Sequence, residues 1–206
     1  MVAPLPRGEL VLASASLTRR RMLEAAGLSF CVEPANVDEE ALRSTLADFD
    51  VYGGAERLAR VLARAKAEEV SSRIPDALIV GADQVLALGR EIFSKPSDLA
   101  AARAALRALS GRTHNLISAV SLAVAGEQIW SHADVASLTM RKLSDSFLDD
   151  YLACAGARIC ASVGAYELEG LGAQLFERIE GDYFTILGMP LLPLLAELRS
   201  RGQLQA

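Results

Sequence analysis

Lysine is nearly absent from this chain. Of its 21 basic residues only three are lysine, Lys66, Lys95 and Lys142, and the rest are arginine. There are two histidines, His114 and His132, too few for a His-rich zinc site. Three cysteines, Cys31, Cys154 and Cys160, show no CxxC spacing and have apolar neighbours. They read as three reduced, buried thiols, not a disulfide framework or a metal cluster. The longest apolar run, Ile186 to Ala196, holds two prolines and is too short to span a bilayer. Met1 to Arg7 lacks the apolar region of a secretory signal, so a cytoplasmic protein is expected. Basic excess is also missing. The net charge is −5, which argues against a general binder of nucleic acid or anionic membrane. There is no GxSxG elbow and no GxxxxGK[ST] loop, and Gly170-x-Gly172 fails the dinucleotide fingerprint because Leu175 stands where its third glycine belongs.

What remains is a globular composition, 51% apolar and 23% charged over 206 residues, matching a single domain over residues 1–206 with no separable linker. Glu9 to Ala13, Ser29 to Pro34 and Ala77 to Gly81 read as strands, the first and last as fully buried ones. Val85 to Phe93 reads as a hairpin turning at Gly89-Arg90, and Thr113 to Val124 and Gln128 to Met140 as long strands joined at Gly126-Glu127. Helices are expected at Thr18 to Ala26 (capped by Ser16 or Thr18), Ala55 to Ser71, Asp98 to Leu109, Ser144 to Ala155 and Leu191 to Arg201. Gly164 to Gly172 reads as a loop. The alternation argues for an α/β fold with an antiparallel component.

Several segments could carry chemistry. Ser14-Ala-Ser-Leu-Thr-Arg-Arg-Arg21 joins a strand to a helix, so a helix N-terminus and arginines meet there. That suits an anion, although a capped helix start with solvated arginines gives the same pattern. Asp83, in Gly81-Ala-Asp83-Gln84, is expected just past an apolar strand, where α/β folds hold ligands. It could bind a divalent metal, orient a water or simply form a turn. Lys95, before a proline, and Lys66, on a leucine-rich helix, each also read as surface lysines. Glu167 and Glu169, two apart, would face one way in an extended segment. His114 reads as a structural histidine at a strand start.

Eight blocks occur in order between Leu12 and Leu191: L-A-S-x-S-x-x-R, V-D-E, L-A-x-x-K-A, G-A-D-Q, K-P, L-S-G-x-x-H, G-A-Y-x-x-E-G-x-G and E-x-I-E-G-x-Y…G-x-P-L. In this the chain resembles the Maf family of nucleotide pyrophosphatases, related to septum-formation inhibitors. The resemblance implies an ITPase-like α/β fold, a long mixed β-sheet with flanking helices and two lobes around a central cleft. It implies a cytoplasmic, metal-dependent enzyme, often a homodimer, that hydrolyses a nucleoside triphosphate to the monophosphate and pyrophosphate using Mg²⁺ or Mn²⁺. A nucleotide-binding regulator of cell division with little catalysis is the alternative. By the same resemblance Asp83 is the catalytic acid, Ser16, Arg19, Lys66 and Lys95 contact phosphates, and Asp38-Glu39 falls on an acidic block, with Asp83 and Glu39 as metal ligands. Thr18, Gln84 and Glu169 fall on positions that tune base choice. Gln84 and Glu169 resemble the branch acting on 7-methyl-GTP, whereas Thr18 replaces an arginine or a tryptophan. A carboxylate such as Glu169 suits the N1–H and N2–H₂ edge of a guanine.

Overall fold

The computed structural model describes residues 9–46 and 54–205. They form two compact units, one from the described parts of 1–84, 118–134 and 182–206, the other from 85–117 and 135–181.

In the first unit, β1 (Leu10–Leu12) pairs in parallel with β2 (Cys31–Val32) and with β3 (Leu78–Leu88). The β1–β3 register, Leu10 to Leu78 and Leu12 to Val80, sorts their side chains onto two faces. Leu10, Leu12, Leu78, Val80 and Ala82 pack with Met22 and Leu23 of α1 (Leu17–Ala25) and with α7 (Leu191–Ser200). Val11, Ala13 and Ile79 pack on the opposite face with Ala67 and Val70 of α3 (Gly54–Arg73). Covering both faces is why these strands are continuous apolar runs. Gly81 is what lets α3 lie so close. A Cβ there would collide with the backbone oxygen of Ala63 and sit 2.6 Å from the nitrogen of Ala67. Between β2 and α3 stands a helix that the sequence reading did not expect, α2 (Glu39–Leu46), capped by Asp38, whose Oδ1 accepts from the Ala41 N–H at 2.9 Å.

β4 (Glu91–Phe93) pairs antiparallel with the end of β3 around the expected turn. In the second unit α4 (Leu99–Leu109), capped by Asp98, is tied to α5 (Asp145–Ala155) through Arg103, which meets Asp145 at 3.1 Å and Asp149 at 3.0 Å. β5 (Thr113–Val124) and β6 (Glu127–Met140) are joined at Ala125-Gly126, both at positive φ, as a primed hairpin turn requires. β7 (Phe176–Glu180) adds antiparallel to β6. The seven strands run β2-β1-β3-β5-β6-β7, with β4 on β3. The expectation of a mixed sheet with flanking helices is met.

Three expectations need correcting. The strand ending at Gly81 and the hairpin arm from Val85 are one continuous eleven-residue strand, β3, so Asp83 lies inside a strand rather than past its end. The cysteines are free but not buried: Cys31 and Cys154 are exposed and Cys160 is partly so, because they sit on an edge strand and near helix ends instead of in the core. Glu167 and Glu169 do not share an extended segment, since Leu168 to Gly170 form a turn in which the Gly170 N–H donates to the Glu167 carbonyl at 3.2 Å. No helix among the described residues is long and apolar enough to cross a membrane.

Candidate active site

The site begins where β1 stops. The Ala13 N–H donates to the Val80 carbonyl at 2.8 Å, and beyond that bond the chain turns away through Ser14 to Ser16. β4 takes up the same edge of β3 only at Leu86. The Ala82 carbonyl therefore has no strand partner there, and Arg19 supplies the missing donor. Its Nη1 donates to that carbonyl at 2.9 Å and to Ser14 Oγ at 3.3 Å, and its Nε donates to the Gly188 carbonyl at 2.8 Å. Gly188 sits at φ +109°, a conformation that glycine adopts readily. The helix that aims Arg19 is capped by Ser16, whose Oγ accepts from the Arg19 N–H at 3.4 Å, with Ser14 Oγ in turn accepting from the Ser16 N–H. Arg20 turns outward to Glu24 and Arg21 is exposed, so one of the three arginines faces inward. Burial pushes the Arg19 guanidinium below its usual range, against the opposing fields of Asp83 and then Glu39. Thr18 is partly exposed on the same first turn.

Asp83 points to the α3 face of β3 and is buried, at 5% exposure. Lys66 Nζ lies 2.5 Å from its Oδ1 and 2.7 Å from Glu39 Oε1. Close α3 packing over Gly81 makes this contact, so the Gly81-x-Asp83 spacing serves the site directly. Lys66 is thus not a surface lysine: its side chain is 13% exposed. Of the acidic pair Asp38-Glu39, Asp38 is spent on capping α2 and Glu39 reaches the ammonium. Asp83 Oδ2 is buried and has no hydrogen-bond partner among the described residues. Two carboxylates converging on one cation, one of them with a buried oxygen to spare, form a hard-oxygen donor set of the kind Mg²⁺ and Mn²⁺ take. No cluster of three or more His, Cys, Asp or Glu able to hold a metal occurs among the described residues. Such an ion would complete its shell with water and phosphate oxygens.

Gln84, the next residue, points to the other face. It is the one position of β3 that is not buried. Its Nε2 donates to Ser118 Oγ at 3.1 Å, to the Thr185 carbonyl at 3.1 Å and to the Ile186 carbonyl at 3.0 Å. Thr185 and Ile186 belong to α6 (Tyr183–Leu187), capped by Asp182. Sequence reasoning had placed Ser14 in the candidate anion segment without a role of its own, and had missed Ser118 and the Thr185–Gly188 segment. The Gly188-Met-Pro-Leu191 motif was the available signal for the last of these.

The first unit thus gathers Ser16, Thr18, Arg19, Glu39, Lys66, Asp83 and Gln84. Lys95 and Glu169 lie in the second unit. Lys95 is exposed in the segment between β4 and α4, and Glu169 is exposed in the Leu168–Gly170 turn. Just before that turn stands Tyr166, which is buried with its Oη 2.7 Å from His114 Nε2. Burial holds Tyr166 well above the usual phenol range and brings His114, buried near the start of β5, down to about 4.

The family model described as Maf-like protein matches residues 9–201. The chain belongs to the Maf-like protein family. A 7-methyl-GTP pyrophosphatase of Mesorhizobium japonicum is 55% identical over 194 residues, covering 94% of this chain and 96% of that protein. A nucleoside triphosphate pyrophosphatase of Paramagnetospirillum magneticum is 51% identical, covering 94% and 99%. A 7-methyl-GTP pyrophosphatase of Rhizobium meliloti is 49% identical, covering 96% and 98%. The Ser16–Arg19, Lys66 and Asp83–Gln84 motifs of this Maf-like protein all fall inside the matched span.

Proposed function

We propose that this Maf-like protein is a nucleoside triphosphate pyrophosphatase, cleaving its substrate to the monophosphate and pyrophosphate, with 7-methyl-GTP among its substrates. The observation that carries the reading is Asp83. It is a buried carboxylate with one oxygen on Lys66 and the other without a hydrogen-bond partner among the described residues, in a chain about half identical to proteins named for this activity. Water attacks the α-phosphorus, the bond from that phosphorus to the α,β-bridging oxygen breaks, and pyrophosphate leaves. The water's proton passes to Asp83 Oδ2, a general-base role that needs an acceptor within hydrogen-bond reach. Lys66 offsets the charge of Asp83 and Glu39, and the buried side of the site excludes bulk water. A triphosphate carries about four negative charges and calls for converging donors. Arg19, the α1 N-terminus with Ser16, and Lys95 are the groups of this chain proposed to meet them.

Asp83 and Glu39 would hold a divalent ion, which when bound spreads the charge developing on the phosphates. Thr18, Gln84 and Glu169 are the residues proposed to read the base. Purified protein with Mg²⁺ or Mn²⁺ is expected to release pyrophosphate from at least one triphosphate in a panel that includes 7-methyl-GTP. Asp83→Asn is expected to lower turnover at least about 10²-fold, the lower bound for losing a positioned proton acceptor, while the protein stays folded. No pyrophosphate from any member, or a fully active Asp83→Asn protein, contradicts the reading.

A further inference from the structure

Gln84 holds a carboxamide with an unusual surplus of acceptors at one end. A carboxamide nitrogen has two hydrogens, and three acceptors surround Nε2 here. Two of them are main-chain carbonyls, which cannot donate. The third, Ser118 Oγ, gives its own hydrogen to the Thr185 carbonyl at 2.7 Å, so toward Gln84 it too only accepts. Turning the amide over would set Oε1 against two carbonyl oxygens and a hydroxyl lone pair. The chemistry of the partners therefore fixes which end of the amide is nitrogen. Oε1 makes no hydrogen bond among the described residues, and Gln84 is partly exposed.

We infer that Ser118 and the end of α6 lock Gln84 as a pure acceptor, so that it selects a base edge that presents an N–H and rejects one that presents a lone pair. Gln84 is the reading residue and Ser118 a positioning residue that acts through it. The inference rests on the pyrophosphatase reading for its substrate, a nucleoside triphosphate, but the lock itself is a property of the free protein. It gives a physical reason for discrimination: a base lacking the N–H would leave the Gln84 oxygen facing a lone pair or a gap, and unpaired polar groups at such a site are what reject close analogues.

Two measurements test it. In the free protein, the Gln84 side-chain NH₂ resonances, assigned by their loss in Gln84→Met, are expected to be protected from solvent exchange. They are expected to keep their shifts when a nucleotide is added. In Ser118→Ala the same resonances shift and exchange faster while the far-ultraviolet circular dichroism is unchanged. Rapid exchange in the wild type, or a large Nε2 shift on binding, overturns the lock. For selectivity, triphosphate pairs differing by one hydrogen-bond donor group, such as GTP and ITP or UTP and 3-methyl-UTP, are compared by kcat/KM. Each pair differs by one donor group on the base edge, the N2 amino group for GTP and ITP and the N3–H for UTP and 3-methyl-UTP; at least one pair is expected to differ 10-fold or more in the wild type, and Gln84→Met brings that ratio to within about 3-fold of unity. A ratio that survives in Gln84→Met, or no pair differing in the wild type, overturns the selectivity. A wild type that hydrolyses no triphosphate at all contradicts the pyrophosphatase reading instead, and leaves the exchange measurement to judge the lock.

Discussion

Replacing Lys66 with methionine separates two roles for that residue, because its ammonium touches two carboxylates of the protein itself. A residue that served only to bind phosphate would leave the stability of the free protein unchanged when lost. The structure predicts otherwise. Asp83 is 6% exposed in its side chain and already has one oxygen without a hydrogen-bond partner among the described residues. Without Lys66 its second oxygen loses its hydrogen-bond partner among the described residues, and the partly exposed Glu39 becomes a like-charged neighbour. A pair of unit charges about 4 Å apart interacts by about 4 kcal/mol in an effective dielectric of about 20. Removing one partner of a buried pair typically destabilises by about 3–5 kcal/mol. At about 2–4 °C per kcal/mol for a chain of this size, Lys66→Met should melt about 10 °C below the wild type. Lys66→Met combined with Asp83→Asn should recover much of that loss, giving a coupling of at least about 2 kcal/mol in a double-mutant cycle. Urea unfolding of the four proteins reads it directly. Mg²⁺ should raise the midpoint of Lys66→Met more than that of the wild type, since the ion replaces the missing positive charge. A Lys66→Met protein as stable as the wild type, with only a raised KM, would refute the reasoning and return Lys66 to a phosphate contact.

Gly81→Ala introduces a Cβ into backbone atoms of α3, and should cost about 1–3 kcal/mol as overpacking does. It should also lower kcat, because moving α3 moves Lys66 off Asp83. Unchanged unfolding and kinetics would show that the interface yields freely. His114 is held neutral, with a pKa near 4 against an ordinary 6.5. Its contribution to stability is present above pH 6.5 and is lost as the pH falls toward 4. The loss, about 1.4 kcal/mol per unit, reaches about 3 kcal/mol. The difference in urea midpoint between wild type and His114→Gln should therefore narrow across that window, and a constant difference counts against it. Arg201, 6% exposed, pairs with Glu197 at 2.6 Å and donates to the Ile129 carbonyl. Arg201→Ala should lose about 3–5 kcal/mol by stranding a largely buried carboxylate, read by thermal melting.

How far these residues could be read from the sequence depended on what satisfied each of them. The cores of β1 and β3 were plain, because burial on both faces leaves an unbroken apolar run. The same logic misplaced Asp83. A strand interrupted by Gly81-Ala-Asp83-Gln84 looks finished, since polar groups normally mark the way out to solvent. Here the polar residues stay in the strand because other groups of the protein meet them: Lys66 on one face, Ser118 and the α6 carbonyls on the other. β7 and α6 escaped notice for another reason. Each has five residues, β7 is largely exposed and α6 is little more than one turn, so neither displays a period. The family blocks pointed at these segments without saying what they do. Ser118 shows the limit most clearly. Inside an apolar strand a lone serine looks like filler, and its use depends on Gln84, 34 residues away, and Thr185, 67 residues away. A sequence pattern can report that a polar residue is present in a strand. Whether it is a defect, a cap or half of a recognition device is decided by partners that only the fold brings near, and for Gln84 those partners also decide which of its two chemical faces a ligand meets.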